Sequence, residues 1–150
     1  MQSFLSSISR RSLAAMTLAG AVALAAVACS GSPQASADGV QVTLRDFAVD
    51  LSDTTLPAGS TKLAIHNSGA AVHELEVFKV PAGVDGAALP VTSNVADTDS
   101  AGLAVIDEVE NVAPSTGANL TVNLEPGTYA FMCNLPTHYG LGMHAIVTVE

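Results

Sequence analysis

Positive charge and cysteine are both scarce in this sequence, and each scarcity removes a class of function. Five Lys and Arg stand against fourteen Asp and Glu. Two of the five, Arg10 and Arg11, fall in an N-terminal segment that reads as an export signal, leaving Arg45, Lys62 and Lys79 for the rest. Nucleic acid is bound through phosphate neutralisation by clustered cations, so it is not an expected partner. The acidity serves solubility and suits encounters with basic partner proteins. Cysteine occurs twice, at Cys29 and Cys133, so no framework of disulfides is expected. No sustained 3.6-residue period and no internal repeat is present, which argues against helical bundles and solenoids. Methionine is also sparse: two of the four lie in the N-terminal segment, unlike a methionine-rich metal-scavenging surface.

What is present begins with that N-terminal segment. Arg10 and Arg11 precede an uncharged, small-residue run from Ser12 to Ala28, too short to span a bilayer comfortably and typical of a signal peptide. Ala26-Val27-Ala28-Cys29 resembles a bacterial lipobox, with Ala26 where Leu is commoner, and makes Cys29 the expected lipidation site. Ser9-Arg10-Arg11-Ser12-Leu13 also resembles a twin-arginine signal, but paired arginines occur in ordinary signals too, and the export route stays open. The expected organisation is an export signal at 1–28, a lipidated flexible tether at 29–39 reaching roughly 15–20 Å, and one domain at 40–150. The expected location is the outer face of the cytoplasmic membrane, in the periplasm or at the cell surface, through a lipid anchor.

From Val40 onward, short β-rich runs alternate with Gly, Pro, Asn and Ser clusters, which predicts an all-β Greek-key sandwich of about seven or eight strands. Strands are predicted over Val40–Val49, Thr61–Asn67, His73–Val80, Asn119–Leu124, Thr128–Cys133 and Met143–Val149. Leu56-Pro57-Ala58-Gly59, Asn67-Ser68-Gly69 and Glu125-Pro126-Gly127 supply the turn chemistry between them. The stretch Pro81–Ser100 has too weak an alternation to assign.

The chemistry is concentrated near the end of the chain. Once processing claims Cys29, Cys133 is the only remaining thiol in an oxidising compartment. In Cys133-Asn-Leu-Pro-Thr-His138-Tyr-Gly-Leu-Gly-Met143 a thiolate, an imidazole and a thioether share one loop between two strands. Period-two alternation places Tyr129, Phe131 and Cys133 on one face, Met143, Ala145, Val147 and Val149 on another, and His73, Leu75 and Val77 on a third, all facing the core. Four donors, His73, Cys133, His138 and Met143, can therefore converge. Thiolate, two imidazoles and a weak axial thioether form the trigonal set suited to blue copper, a single ion moving between Cu(I) and Cu(II). The same phase argument places His66, Met132 and His144 on outward, solvated faces, away from the metal.

This ordered set resembles the type 1 copper site of the cupredoxins. Four residues separate Cys133 from His138 and four more separate His138 from Met143, a spacing similar to that of auracyanin-, rusticyanin- and sulfocyanin-like members. The segment Val42-Thr-Leu-Arg-Asp-Phe-Ala, then Leu56-Pro-Ala-Gly and Asn67, resembles the family's N-terminal half. Many members carry Asn directly after the first histidine, where its side chain pins the cysteine loop; here Glu74 occupies that place. Asn134 is expected to supply hydrogen bonding to the sulfur or to a neighbouring strand, and Pro136 to stiffen the loop. Leu135, Pro136, Tyr139 and Leu141, with Ala71, are expected to form an apolar docking patch around an exposed edge of His138.

The resemblance implies a one-electron carrier, monomeric and not an enzyme, serving a redox partner such as a cytochrome, an oxidase or another copper protein. The alternative is a copper capture or delivery protein, in which the ion is the cargo. An oxidase or nitrite reductase would need a second copper site, and His66 and His144 alone do not form one.

Overall fold

The structure, a computed structural model, describes residues 38–150. The expected export signal, the lipidation site Cys29 and nearly all of the tether lie outside the described residues. Eleven strands follow one another: β1 (Val40–Arg45), β2 (Ala48–Leu51), β3 (Thr55–Leu56), β4 (Gly59–Asn67), β5 (His73–Val80), β6 (Val91–Thr92), β7 (Val95–Ala96), β8 (Ala104–Val112), β9 (Gly117–Leu124), β10 (Gly127–Met132) and β11 (His144–Val149). Eight of these have four residues or more, in line with the sandwich read from the sequence. A four-stranded sheet in the order β2-β1-β4-β9 faces a five-stranded sheet in the order β3-β11-β10-β5-β8, and β6 and β7 form a separate hairpin. The described residues contain no α-helix, only a single 3-10 turn at Tyr139–Leu141.

Alternation builds the main core. Val42 and Leu44 of β1, Leu63 and Ile65 of β4, Leu75 and Val77 of β5, Tyr129 and Phe131 of β10, and Val147 of β11 all face inward and are buried. Fully burying a side chain of this kind stabilises the fold by about 1.5–3 kcal/mol relative to exposure. The predicted turns sit where expected: Gly59 and Gly127 adopt φ values of 113° and 148°, a region open to glycine at no steric cost.

Three features differ from the sequence reading. The predicted strand Val40–Val49 is two strands, because the chain reverses at Asp46-Phe47 and Arg45 pairs with Ala48 across a tight antiparallel hairpin. A whole strand, β8, was not anticipated. It lies at the edge of the five-stranded sheet, so many of its side chains remain in solvent and little alternation is left to read. Met132 is fully buried rather than solvated. The unassigned stretch and the residues just after it pack across the outer face of the five-stranded sheet, where Leu89, Ala96 and Leu103 close a second apolar cluster over Phe78, Ala130, Met132 and Tyr139. A sheet covered on both faces loses its period-two signal.

This covering segment also holds the loop after β10. The Tyr139 hydroxyl donates to the Gly86 carbonyl at 3.1 Å and accepts from the Leu89 amide at 2.9 Å. The Gly140 amide donates to the Asn94 carbonyl at 3.0 Å. A Cβ on Gly140 would fall 2.6 Å from the Asn94 side chain, so only glycine permits this approach. Replacing Tyr139 with Phe leaves a buried amide and a buried carbonyl without this partner. The expected loss is about 1–3 kcal/mol of stability, read as a lower denaturation midpoint with an unchanged m-value.

The outer face of β5 carries Glu74 and Glu76, and Glu76 lies opposite Glu108 of β8. One Glu76 carboxyl oxygen is shut off from solvent with no hydrogen-bond partner. Burial first, then repulsion from Glu74, Glu108 and Glu110, pushes the Glu76 carboxyl up to about 7. The folded state thus holds a proton that the unfolded state releases at lower pH, so stability falls as pH rises from about 4.5 to about 7. The loss is expected to be on the order of 1–2 kcal/mol once solvent screening is allowed for. Thermal unfolding of the apoprotein across this range should show the decline, and Glu76→Gln should flatten it.

Candidate metal centre

The four predicted donors come from three pieces of backbone at one end of the sandwich. His73 is the first residue of β5, Cys133 follows the last residue of β10, and Met143 immediately precedes β11. His138 stands in the connecting loop, at the N-terminal side of the 3-10 turn. His73, Cys133 and Met143 are all fully buried, and His138 is half-buried. The Cys133 sulfur lies 3.1 Å from Nδ1 of His138 and 4.0 Å from Nδ1 of His73. The three ligand atoms all fall within 4.8 Å of one another. Donors sharing one ion at bonds of roughly 2.0–2.3 Å stand about 3–4.5 Å apart, so the three are spaced for a common ion. Met143 joins Cys133 in the same buried cluster.

Backbone hydrogen bonds fix this geometry. The Cys133 amide donates to the Met143 carbonyl at 3.1 Å, and the Met143 amide donates to the His138 carbonyl at 3.1 Å. The His138 amide donates to the Leu135 carbonyl at 2.9 Å. Thr137, beside His138, holds φ at 76°, and Phe47 holds 64°. Both are costly angles for residues of this bulk, and such strain persists only where its surroundings over-determine it. The Phe47 ring meets the His138 ring edge-on at 5.9 Å, and the His73 and His138 rings stand 5.0 Å apart.

Glu74 takes up the part that the resemblance assigns to Asn. Its Oε1 accepts from the Asn134 amide at 3.0 Å, tying β5 to the cysteine loop. The Asn134 side chain clasps the backbone of Ala96, accepting from its amide at 2.7 Å and donating to its carbonyl at 3.2 Å. Asn134 therefore reaches a neighbouring strand, one of the two roles expected of it. Pro136 is exposed in the loop. Burial pushes the Cys133 thiol up, while the amides of Glu74 and Leu135, directed at the sulfur, act the other way. Burial, followed by the neighbouring His73, lowers His138 and favours its neutral form. A dry thiol beside two imidazoles, with no Lys or Arg among them, is an arrangement that a cation completes by replacing the thiol proton.

Two residues that the sequence reading quoted only within larger segments, without a role at the site, are important to it. Asp46 Oδ1 lies 3.1 Å from Nε2 of His73, leaving Nδ1 of that ring free to face the cysteine. Alternation gave no signal for this carboxylate, because β1 ends at Arg45 and Asp46 stands in the turn that follows, with its side chain 42% exposed. Asn67, fully buried, donates to the carbonyls of Ala71 and Val112 at 2.8 Å each and accepts from the Gly69 amide at 2.8 Å, shaping the link that carries His73.

The expected docking patch is altered. Tyr139 is only 4% exposed and points into the second apolar cluster, so it does not belong to a solvent-facing surface. Leu135 is half-buried against the main core, whereas Pro136, Leu141 and Ala71 are exposed. Phe47 and Val72, at 45% and 43% exposure, extend that rim. His66 and His144 are half-buried rather than freely solvated, and each has a buried Nδ1 without a partner. The His144 ring lies against the Tyr139 ring at 4.8 Å. Neither histidine joins the donor cluster.

Thiolate, two imidazoles and a thioether in a buried, preassembled setting fit one copper ion. The fold agrees with solved structures. Reduced auracyanin from Roseiflexus castenholzii superposes with a TM-score of 0.55 at 24% identity, covering 73% of this chain and 94% of that one. Rusticyanin from Thiobacillus ferrooxidans gives 0.52 at 14% identity, over 79% and 88%. In sequence, the chain is 30% identical over 96 residues to the iron uptake system component EfeO of Yersinia pseudotuberculosis. That match takes in 64% of this chain but 20% of the relative's length. The model of the cupredoxin-like domain matches residues 18–149, and the chain belongs to the cupredoxin-like family.

Proposed function

We propose that this protein is a one-electron carrier outside the cytoplasmic membrane. The observation that carries the reading is the convergence of the His73, Cys133 and His138 donor atoms within 4.8 Å, in a frame formed by the fold itself. A copper ion held there supplies a one-electron couple between Cu(I) and Cu(II). His73, Cys133 and Met143 are shut away from solvent, so water and small oxidants are excluded from three of the four ligands. His138 is the ligand that reaches partial exposure, and it offers the short way out for an electron. Phe47, Val72, Pro136 and Leu141 surround that exit with an apolar rim, on which a redox partner protein docks. The reading is a carrier and not an enzyme. The expected signal at 1–28 and lipidation at Cys29 would place it on the outer face of the cytoplasmic membrane through a tether of about ten residues.

A second reading, metal capture or delivery, is favoured by one observation, the likeness to an iron uptake component. A delivery site must release its ion, whereas here Glu74, Asn134 and Tyr139 lock the ligand loop to the body of the fold.

The variants that test the carrier reading follow directly. Cys133→Ala should abolish the intense visible absorbance of the copper-loaded protein while leaving a folded apoprotein. Met143→Leu keeps the volume and should cost less than about 1.5 kcal/mol, yet raise the reduction potential by removing a donor to Cu(II). A Cys133 variant that stays intensely coloured contradicts the ligand assignment. Rapid surrender of the ion to a copper chelator, without reversible colour change, favours delivery.

A further inference from the structure

The Asp46-Phe47 turn reaches both histidines, and its carboxylate does so in a way the donor set does not require. Asp46 Oδ1 lies 3.1 Å from Nε2 of His73, a ring with no exposure to solvent. The same oxygen accepts from the amides of Ala70 at 3.1 Å and Ala71 at 3.3 Å. Asp46 Oδ2 also accepts from the Ala70 amide, at 3.2 Å. The contact has reserved space: a Cβ on Gly69 would fall 2.5 Å from Asp46 Oδ1 and 2.7 Å from His73 Nε2. A carboxylate next to a ring nitrogen takes its proton as a hydrogen bond, which selects the tautomer whose other nitrogen is a bare lone pair. In His73 that other nitrogen is Nδ1, the one facing Cys133. A negative charge behind an imidazole also strengthens its donation, and the more highly charged metal state gains more from it.

We propose that Asp46 is a positioning residue for the ligand His73, which fixes its tautomer and ring orientation and weights the site toward Cu(II) over Cu(I). The inference rests on the copper reading given above and adds to it a charge outside the ligand set. Asp46 also anchors Ala70 and Ala71, so a purely structural role is the competing explanation.

The test compares Cu(II) and Cu(I) affinities, by chelator competition, and the reduction potential of the copper-loaded parent with those of Asp46→Asn and Asp46→Ala. Asp46→Asn keeps a carbonyl acceptor for His73 and the two amides but removes the charge. It should lower the Cu(II)-to-Cu(I) affinity ratio by about tenfold, raising the potential by about 59 mV. Asp46→Ala removes acceptor and charge together and should weaken Cu(II) binding by about 10- to 100-fold. If Asp46→Ala does not fold, the potential of Asp46→Asn decides alone. A blue parent whose potential is unmoved by Asp46→Asn overturns the inference and leaves the carrier reading intact. A loss of melting temperature with unchanged affinity ratio overturns it in favour of loop anchoring. A parent that takes up no copper overturns both.

Discussion

The hydrogen bond from the Cys133 amide to the Met143 carbonyl, 3.1 Å long, closes the loop on which the site depends. It joins the ends of β10 and β11 just beyond their paired ladder, so the antiparallel register of two core strands sets the separation of the thiolate and the thioether. His138 then has little freedom, because its own amide and carbonyl are both engaged inside the same loop. The third strand of the group, β5, pairs with β10 and delivers His73 at its first residue. The site is thus an extension of the sheet, and the hydrophobic core that stabilises the sheet also sets the ligand geometry.

Around this loop the fold adds restraints from four directions. Glu74 ties the cysteine loop to β5, Asn134 ties it to β7, Tyr139 ties the 3-10 turn to the covering segment, and Asp46 holds the outer nitrogen of His73. A copper site that changes oxidation state without moving its ligands loses little energy to reorganisation. These contacts are the physical means for such stiffness, and they come from segments far apart in sequence.

That distance in sequence explains what could be read in advance. His73, Cys133 and Met143 were legible because alternation fixed their direction, and His138 because its spacing in the loop matched the same chemistry. The main core was legible for the same reason, since Leu75, Val77, Phe131 and Val147 repeat at period two. Met132 and Tyr139 were misread because what covers them, Leu89, Ala96 and Gly86, lies in a segment with weak patterning of its own. Strand β8 was missed because an edge strand leaves many of its side chains in water. Asp46 was passed over because it was placed inside a continuous strand, when the chain in fact turns there.

Everything proposed for this protein depends on the fold holding a single copper ion in a fixed frame and cycling it. The most direct measurement is a copper titration followed by visible and electron paramagnetic resonance spectroscopy, with ascorbate reduction and reoxidation of the same sample. The account predicts an intense thiolate-to-copper band saturating at one ion per chain, narrow hyperfine splitting, and colour that bleaches and returns without loss. Colourless binding that cannot be cycled, or a wide hyperfine splitting without the thiolate band, would contradict it.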